Sequence, residues 1–357
     1  MRQKRIRDYG VALDTLPTGP LNKITDVPGV LVGHCTIDTP QHKTGVTMLL
    51  PRPENPFTHQ YPAASFVLNG FGKSIGLLQI DELGTLETPI ALTNTLNVGL
   101  VHDALVEYMV QRCQSEGVPL TSVNPVVCEC NDSTLSDICQ RAVQKEHVFS
   151  AIASASRDFE EGAVGGGCGM VCHGLKGGIG SASRIIELPE GRFTLGVLVQ
   201  ANHGRLPDLL LEGKPIGTRI DSENFEPDKG SIIVLLATDL PASDRQLKRI
   251  LKRTSVGLAR LGSFIGHGSG EVMIGFSTAN TIHRDAQEGI LTQRVLNEEK
   301  IDLAFQAAAY ACQEAVLNAL ATSKTTVGYQ GDIRKSLAEF LPGLGWRANQ
   351  PDQQEIL

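Results

Sequence analysis

No run of apolar residues in this 357-residue chain is long enough to span a bilayer. No basic stripe is available to neutralise phosphates, and the net charge of -7 argues against a nucleic-acid partner. The chain opens with Arg2, Lys4, Arg5 and Arg7, but no apolar stretch follows, so the start does not read as a signal peptide. The eight cysteines are dispersed and form no small-domain disulfide framework. Reduced thiols in a cytoplasmic protein are therefore expected. Several catalytic signatures are also missing. Neither glycine cluster ends in the Gly-Lys-Ser/Thr of a phosphate loop or spells GxGxxG, no HExxH pairs two histidines, and the turn 266–271 does not spell a GxSxG elbow. No metal ion and no cofactor is expected. No internal repeat and no disordered linker is expected.

What is present is a globular composition, 41% hydrophobic and 20% charged, with 37 glycines, many of them in short clusters. Strands are expected at 45–50, 64–69, 194–200, 231–238 and 272–276, each a short apolar run. Helices are expected at 98–114, where Val101, Leu105 and Met109 form a stripe, and at 301–320, which is rich in alanine. Ser243 and Gln246 form a capping-box-like start, with Leu247, Ile250, Leu251 and Leu258 at helical spacing after it. The stretch from Thr325 is expected to trail off. Strands and helices interleave throughout, which predicts one large layered α/β domain over 1–357.

Five places could carry chemistry. The glycine clusters 162–169 and 177–180 read as tight packing near a site, although such loops can also offer N–H groups to a developing negative charge. In an extended strand Cys128 and Cys130 share one face and Glu129 points to the other. Glu129 is then either a pocket anion or a strand-end carboxylate at the surface. The cysteines could join Cys168 and Cys172 around zinc, but the spacing is not a standard one, and inert buried thiols are the expectation. Asn202 ends a strand, where it donates into a cleft or caps a turn, and His203 reads as a turn residue. Ser269 and Glu271 sit two apart and would face one side, either as a hydroxyl–carboxylate relay or as part of a glycine turn. Ser231 follows Gly230 at the end of a polar loop. It is the first residue of a strand, or a nucleophile exposed by a cut. A cut there would join a hydroxyl to an α-amine of pKa about 7.7–8.0, suited to act as a base.

Taken in order, the segments NKITDVPG (22–29), TNTLNVG (93–99), ECND (129–132), GAVG (162–165), VQAN (199–202), GSIIVLLATD (230–239), GSGE (268–271), FSTAN (276–280) and EAVLNAL (314–320) resemble the DmpA-type family. This is the L-aminopeptidase/D-esterase/D-amidase group that includes the β-peptidyl aminopeptidases. The resemblance implies a four-layer αββα sandwich similar to the Ntn hydrolases, shared with the ornithine acetyltransferases. It implies a precursor that splits into an α chain, 1–230, and a β chain, 231–357. It assigns Ser231 as nucleophile, Ser269 with Glu271 as relay, Asn202 as oxyanion donor and Glu129 as the anchor of the substrate's free amine. Substrates would be small peptides or amino-acid amides and esters, and the αβ units would associate, as tetramers in the family pattern. One departure stands out. Ser133 and Thr134 lie where some members carry a tyrosine near the oxyanion. Two rivals remain at this stage, an acyltransferase of the ornithine acetyltransferase type and a binding protein without turnover.

Overall fold

The run that follows Gly230 explains the layering. All eight residues of Ser231–Thr238 are buried. Ile232, Val234 and Leu236 enter one core, while Ile233, Leu235 and Ala237 enter another. A strand that is apolar on both faces must be covered on both faces. The computed structural model describes residues 3–221, 227–228 and 230–347. Much of the polar loop before Gly230, at 222–226 and 229, lies outside the described residues.

The principal strands are β1 (Leu31–Asp38), β2 (Lys43–Leu50), β3 (His59–Gly70), β4 (Ile90–Asn94), β5 (Val126–Cys130), β6 (Gly178–Leu188), β7 (Gly191–Asn202), β8 (Ser231–Thr238) and β9 (Gly270–Ser277). The principal helices are α1 (Val98–Ser115), α2 (Lys145–Ala153), α3 (Asp244–Leu251), α4 (Thr254–Arg260) and α5 (Ile301–Thr322). One sheet runs β1-β2-β4-β5. The other runs β3-β9-β8-β7-β6, with Thr85–Leu86 and Ile282–His283 pairing to β3 at its edge. The sheets face each other across Leu49, Leu92, Cys128 and Cys130 on one side and Leu198, Ile233, Leu235 and Ile274 on the other. The helices α1 and α2 cover the first sheet through Val101, Leu105, Val148 and Ala151. The helices α3, α4 and α5 cover the second. The architecture is the expected αββα sandwich.

Close approach explains the alanines of α5. A Cβ on Gly180 in β6 would lie 2.0 Å from the Ala315 carbonyl oxygen, so helix and sheet meet backbone to backbone. The cluster 162–169 serves packing in the same way, since a Cβ on Gly166 would lie 2.4 Å from Gln200 Oε1.

Two expectations need correction. The capping box forms, with Gln246 N–H donating to Ser243 Oγ and Ser243 N–H to Gln246 Oε1, both at 3.2 Å. The helical run then breaks after Leu251, and Leu258 belongs to α4. The stretch after Thr325 does not trail off at once. It forms the short strands Thr326–Val327 and Ile333–Arg334 and a helical turn, Leu341–Leu344. Leu337, Leu341 and Trp346 join the core, and Trp346 Nε1 donates to Glu212 at 3.2 Å. Residues 348–357 lie outside the described residues.

Candidate active site

Strand pairing assembles the site. The antiparallel register of β7 with β8 sets Asn202 opposite Ser231. The parallel register of β8 with β9 sets Ser231 beside Gly270. The end of one strand and the starts of two others therefore meet. From the facing sheet, β5 brings Cys130 Sγ to 3.5 Å from the Ser231 carbonyl oxygen and places Glu129 next in line.

Ser231 Oγ accepts a hydrogen bond from the Gly270 N–H at 3.2 Å. Gly270 has no room for a side chain, since a Cβ would lie 2.4 Å from the Phe71 carbonyl oxygen and 3.1 Å from Ser231 Oγ. On either side of Gly270, Ser269 and Glu271 are fully buried, and the Ser269 hydroxyl donates to the Glu271 carboxylate. Burial pushes the Glu271 pKa up to about 7, against the pull of the Ser269 hydroxyl. The Asn69 amide fixes the preceding turn by donating to the carbonyls of Gly266, at 3.0 Å, and Ser269.

Glu129 is buried, not a surface strand end. It accepts from the Lys73 N–H at 3.0 Å and from the Thr95 hydroxyl. Asn202 is not a turn cap. Its Oδ1 accepts from the Val171 N–H at 2.8 Å, which orients the amide, and its Nδ2 donates to the Asn131 carbonyl at 3.0 Å. Gly230 is packed against the same residue, because a Cβ there would lie 1.7 Å from the Asn202 carbonyl oxygen. Glu129, Asn202, Gly230 and Ser231 all line one cavity of about 350 Å³, together with Ser133 and Thr134. Ser269 and Glu271 stand behind the Ser231 wall, reached through Gly270. A cavity of about 410 Å³ lies elsewhere, among the paired charges Arg5–Glu161 and Lys23–Asp158. No serine or cysteine lines it, so the smaller cavity is the better candidate.

The structure brings Glu129, Asn202, Gly230 and Ser231 to one cavity and places Ser269 and Glu271 outside its lining, on either side of Gly270. It also adds Asn69, Thr95 and the N–H groups of Lys73 and Gly270, which sequence reasoning missed. Thr95 lay inside the segment 93–99, but nothing local marks a hydroxyl as partner to a carboxylate 34 positions away. His203 is corrected from turn residue to buried side chain, its ring edge-on to His173 at 5.3 Å. The four cysteines weighed as a zinc set do not converge. Cys128 and Cys130 point between the sheets, while Cys168 Sγ approaches the Ile37 carbonyl and Cys172 joins the other core.

Comparison with known proteins decides the family. The model for peptidase family S58 matches residues 22–334. The chain belongs to peptidase family S58. This S58 peptidase is 37% identical over 353 residues to the beta-peptidyl aminopeptidase BapA of Sphingosinicella microcystinivorans, covering 92% of this chain and 88% of that protein. The crystal structure of the PH0078 protein from Pyrococcus horikoshii OT3 superposes with a TM-score of 0.89 at 43% identity, over 95% of this chain and 98% of the other. The L-aminopeptidase D-Ala-esterase/amidase of Ochrobactrum anthropi, described as a variant of the Ntn hydrolase fold, gives 0.88 at 36% identity, over 96% and 99%. The S58 peptidase is thus a peptide-bond hydrolase of the N-terminal-nucleophile aminopeptidase and amidase type. The acyltransferase and binding-protein rivals are not favoured. No helix among the described residues is long and apolar enough to cross a membrane.

Proposed function

We propose that this S58 peptidase cuts itself between Gly230 and Ser231, then uses Ser231 as an N-terminal nucleophile to release small amino acids. The substrates are short peptides, amides or esters with a free amine, α- or β-linked. The observation that carries the reading is the convergence of Ser231, Asn202 and Glu129 on one cavity, with Gly230 pressed against Asn202.

In the precursor, Ser231 Oγ attacks the Gly230 carbonyl carbon. The hydroxyl proton passes to the departing Ser231 nitrogen, the C–N bond breaks, and an ester links Gly230 to Ser231 Oγ. That step already frees the Ser231 amine, and water then hydrolyses the ester to a Gly230 carboxylate and the regenerated Ser231 hydroxyl. A glycine at 230 leaves the attacked carbonyl uncrowded. In the mature enzyme the Ser231 amine takes the hydroxyl proton, Oγ attacks the substrate carbonyl, and the proton leaves on the departing amine. Ser269, held by Glu271, completes the relay beside the nucleophile. Asn202 Nδ2 turns from the Asn131 carbonyl to the oxyanion, a donor worth about 2.7–4 kcal/mol of barrier. Water then frees the amino acid.

Glu129 pairs with the substrate ammonium and excludes chains whose amine is blocked. Lys73 N–H and the Thr95 hydroxyl hold that carboxylate in place. The short side chains of Ser133 and Thr134 leave the neighbouring wall open where some family members carry a tyrosine. The same reading includes association of αβ units, for which exposed Ile290, Leu291 and Val295 offer apolar surface, and a reducing compartment, in keeping with eight free thiols.

Glu129→Gln tests the assignment. Against aminoacyl p-nitroanilides, kcat/KM should fall by about tenfold to a hundredfold, the scale of one charge-assisted hydrogen bond. Hydrolysis of matched acyl substrates lacking the amine should change little. Equal losses on both sets would remove Glu129 from the amine site.

A further inference from the structure

One cluster of ligand atoms is not used by the reaction above. Cys172 Sγ and a ring nitrogen from each of His173 and His203 lie within 4.8 Å of one another. The three side chains are 0%, 0% and 1% exposed. Cys172 ends the short strand Val171–Cys172, His173 follows it with left-handed backbone at φ 47°, and His203 follows the end of β7. The His173 N–H donates to the His203 carbonyl at 2.7 Å, so the two segments already touch.

The hydrogen bonds decide which nitrogens are available. His173 Nδ1 lies 3.0 Å from the Arg205 carbonyl oxygen, which can only accept, so Nδ1 carries the proton. Its Nε2 then presents a lone pair and has no partner among the described residues. His203 Nδ1, 3.8 Å from Cys172 Sγ, is the nitrogen that faces the thiol. Leaving buried polar atoms unsatisfied is costly. An imidazole that donates one N–H to a backbone carbonyl and offers the other nitrogen is arranged as metal-bound histidines are. The rings are crowded into this position, since a Cβ on Gly204 would lie 2.4 Å from the His173 ring.

We propose that Cys172, His173 and His203 bind one zinc-like divalent cation. One sulfur and two imidazoles suit zinc rather than the oxygen-seeking magnesium or calcium. A tetrahedral zinc ion, with Zn–N of about 2.0–2.1 Å and Zn–S of about 2.3 Å, needs donors roughly 3.3–3.7 Å apart. The Cys172–His203 pair is close to that already, and the widest pair must close by roughly 1 Å. On binding, Cys172 gives its thiol proton to solvent, the thiolate and two neutral imidazoles take three positions, and water takes the fourth. The ion would tie the turn at 171–174 to the segment 202–204. Both belong to the cavity wall, since the Val171 N–H holds Asn202, and Gly174 and Gly204 line the space. Its role is to stiffen that wall.

The test is a cobalt(II) titration of the purified, chelator-treated full chain. A thiolate-to-cobalt charge-transfer band should appear, saturate at a single ion per chain, and be lost in Cys172→Ser. Zinc should raise the thermal midpoint of the wild type and leave that of Cys172→Ser unmoved. No charge-transfer band in the wild type would overturn the proposal, whether or not Cys172→Ser folds. A band of equal strength in Cys172→Ser would overturn it too, by placing the ion on another thiol such as the exposed Cys139.

Discussion

Glu271 shows how one residue joins stability to chemistry. Its carboxylate is buried behind Ser231, and burial pushes its pKa up to about 7. The folded chain therefore holds a proton that the unfolded chain releases in the ordinary glutamate range, near 4.3. Stability is lost as pH rises between those values and does not return above them. Glu271→Gln removes the ionisation but keeps an acceptor for the Ser269 hydroxyl. Thermal unfolding should find the variant more stable than wild type at pH 8 and no more stable near pH 4.5. A difference that does not change with pH would contradict the argument. At this scale the sequence was informative where spacing carries direction. The alternation Cys128, Glu129, Cys130 placed the thiols on one side of a strand and the carboxylate on the other, as found. It was silent where a role depends on a distant partner. Asn69 is an ordinary strand residue until it bonds a turn some 200 positions away.

Among the elements, α5 has an unusual load. Glu314 lies buried in its alanine-rich face and accepts from Arg7 at 2.8 Å, Arg184 at 2.6 Å and Asn22 at 2.6 Å. Burial would raise its pKa, but these partners outweigh burial and hold it down to about 2. Asn318, one helical turn on, accepts from the Ile6 N–H and donates to the Ser181 carbonyl. The helix thus fastens the N-terminal segment to β6. Glu314→Ala leaves the fully buried Arg184 with Asp14 as its ionic partner among the described residues and should cost about 3 kcal/mol in urea unfolding. A loss below about 1 kcal/mol would mean the network contributes no more than a surface pair. Elements with a long, regular pattern were legible, as α1, α5 and β8 show. The break between α3 and α4 was not, because the spacing of Leu247, Ile250, Leu251 and Leu258 continues across it. The closing segment was misread because its order comes from Leu337, Leu341 and Trp346 reaching the core, contacts that local composition does not encode.

Across the whole molecule, the second sheet interleaves the two sides of the Gly230–Ser231 bond. The strands β8 and β9 lie hydrogen-bonded between β3 and β7. A cut at that bond would divide the chain without dividing the sheet, and would free an amine where Asn202, Gly270 and the cavity already meet. The four layers were expected from the resemblance, and the burial of β8 on both faces agrees with them, whereas the strand order was beyond local pattern. The most direct measurement is the intact mass of the purified protein. Two chains are expected, one ending at Gly230 and one beginning at Ser231, while Ser231→Ala should give a single inactive chain. A wild-type protein that stays a single full-length chain yet hydrolyses aminoacyl amides would contradict the N-terminal serine mechanism.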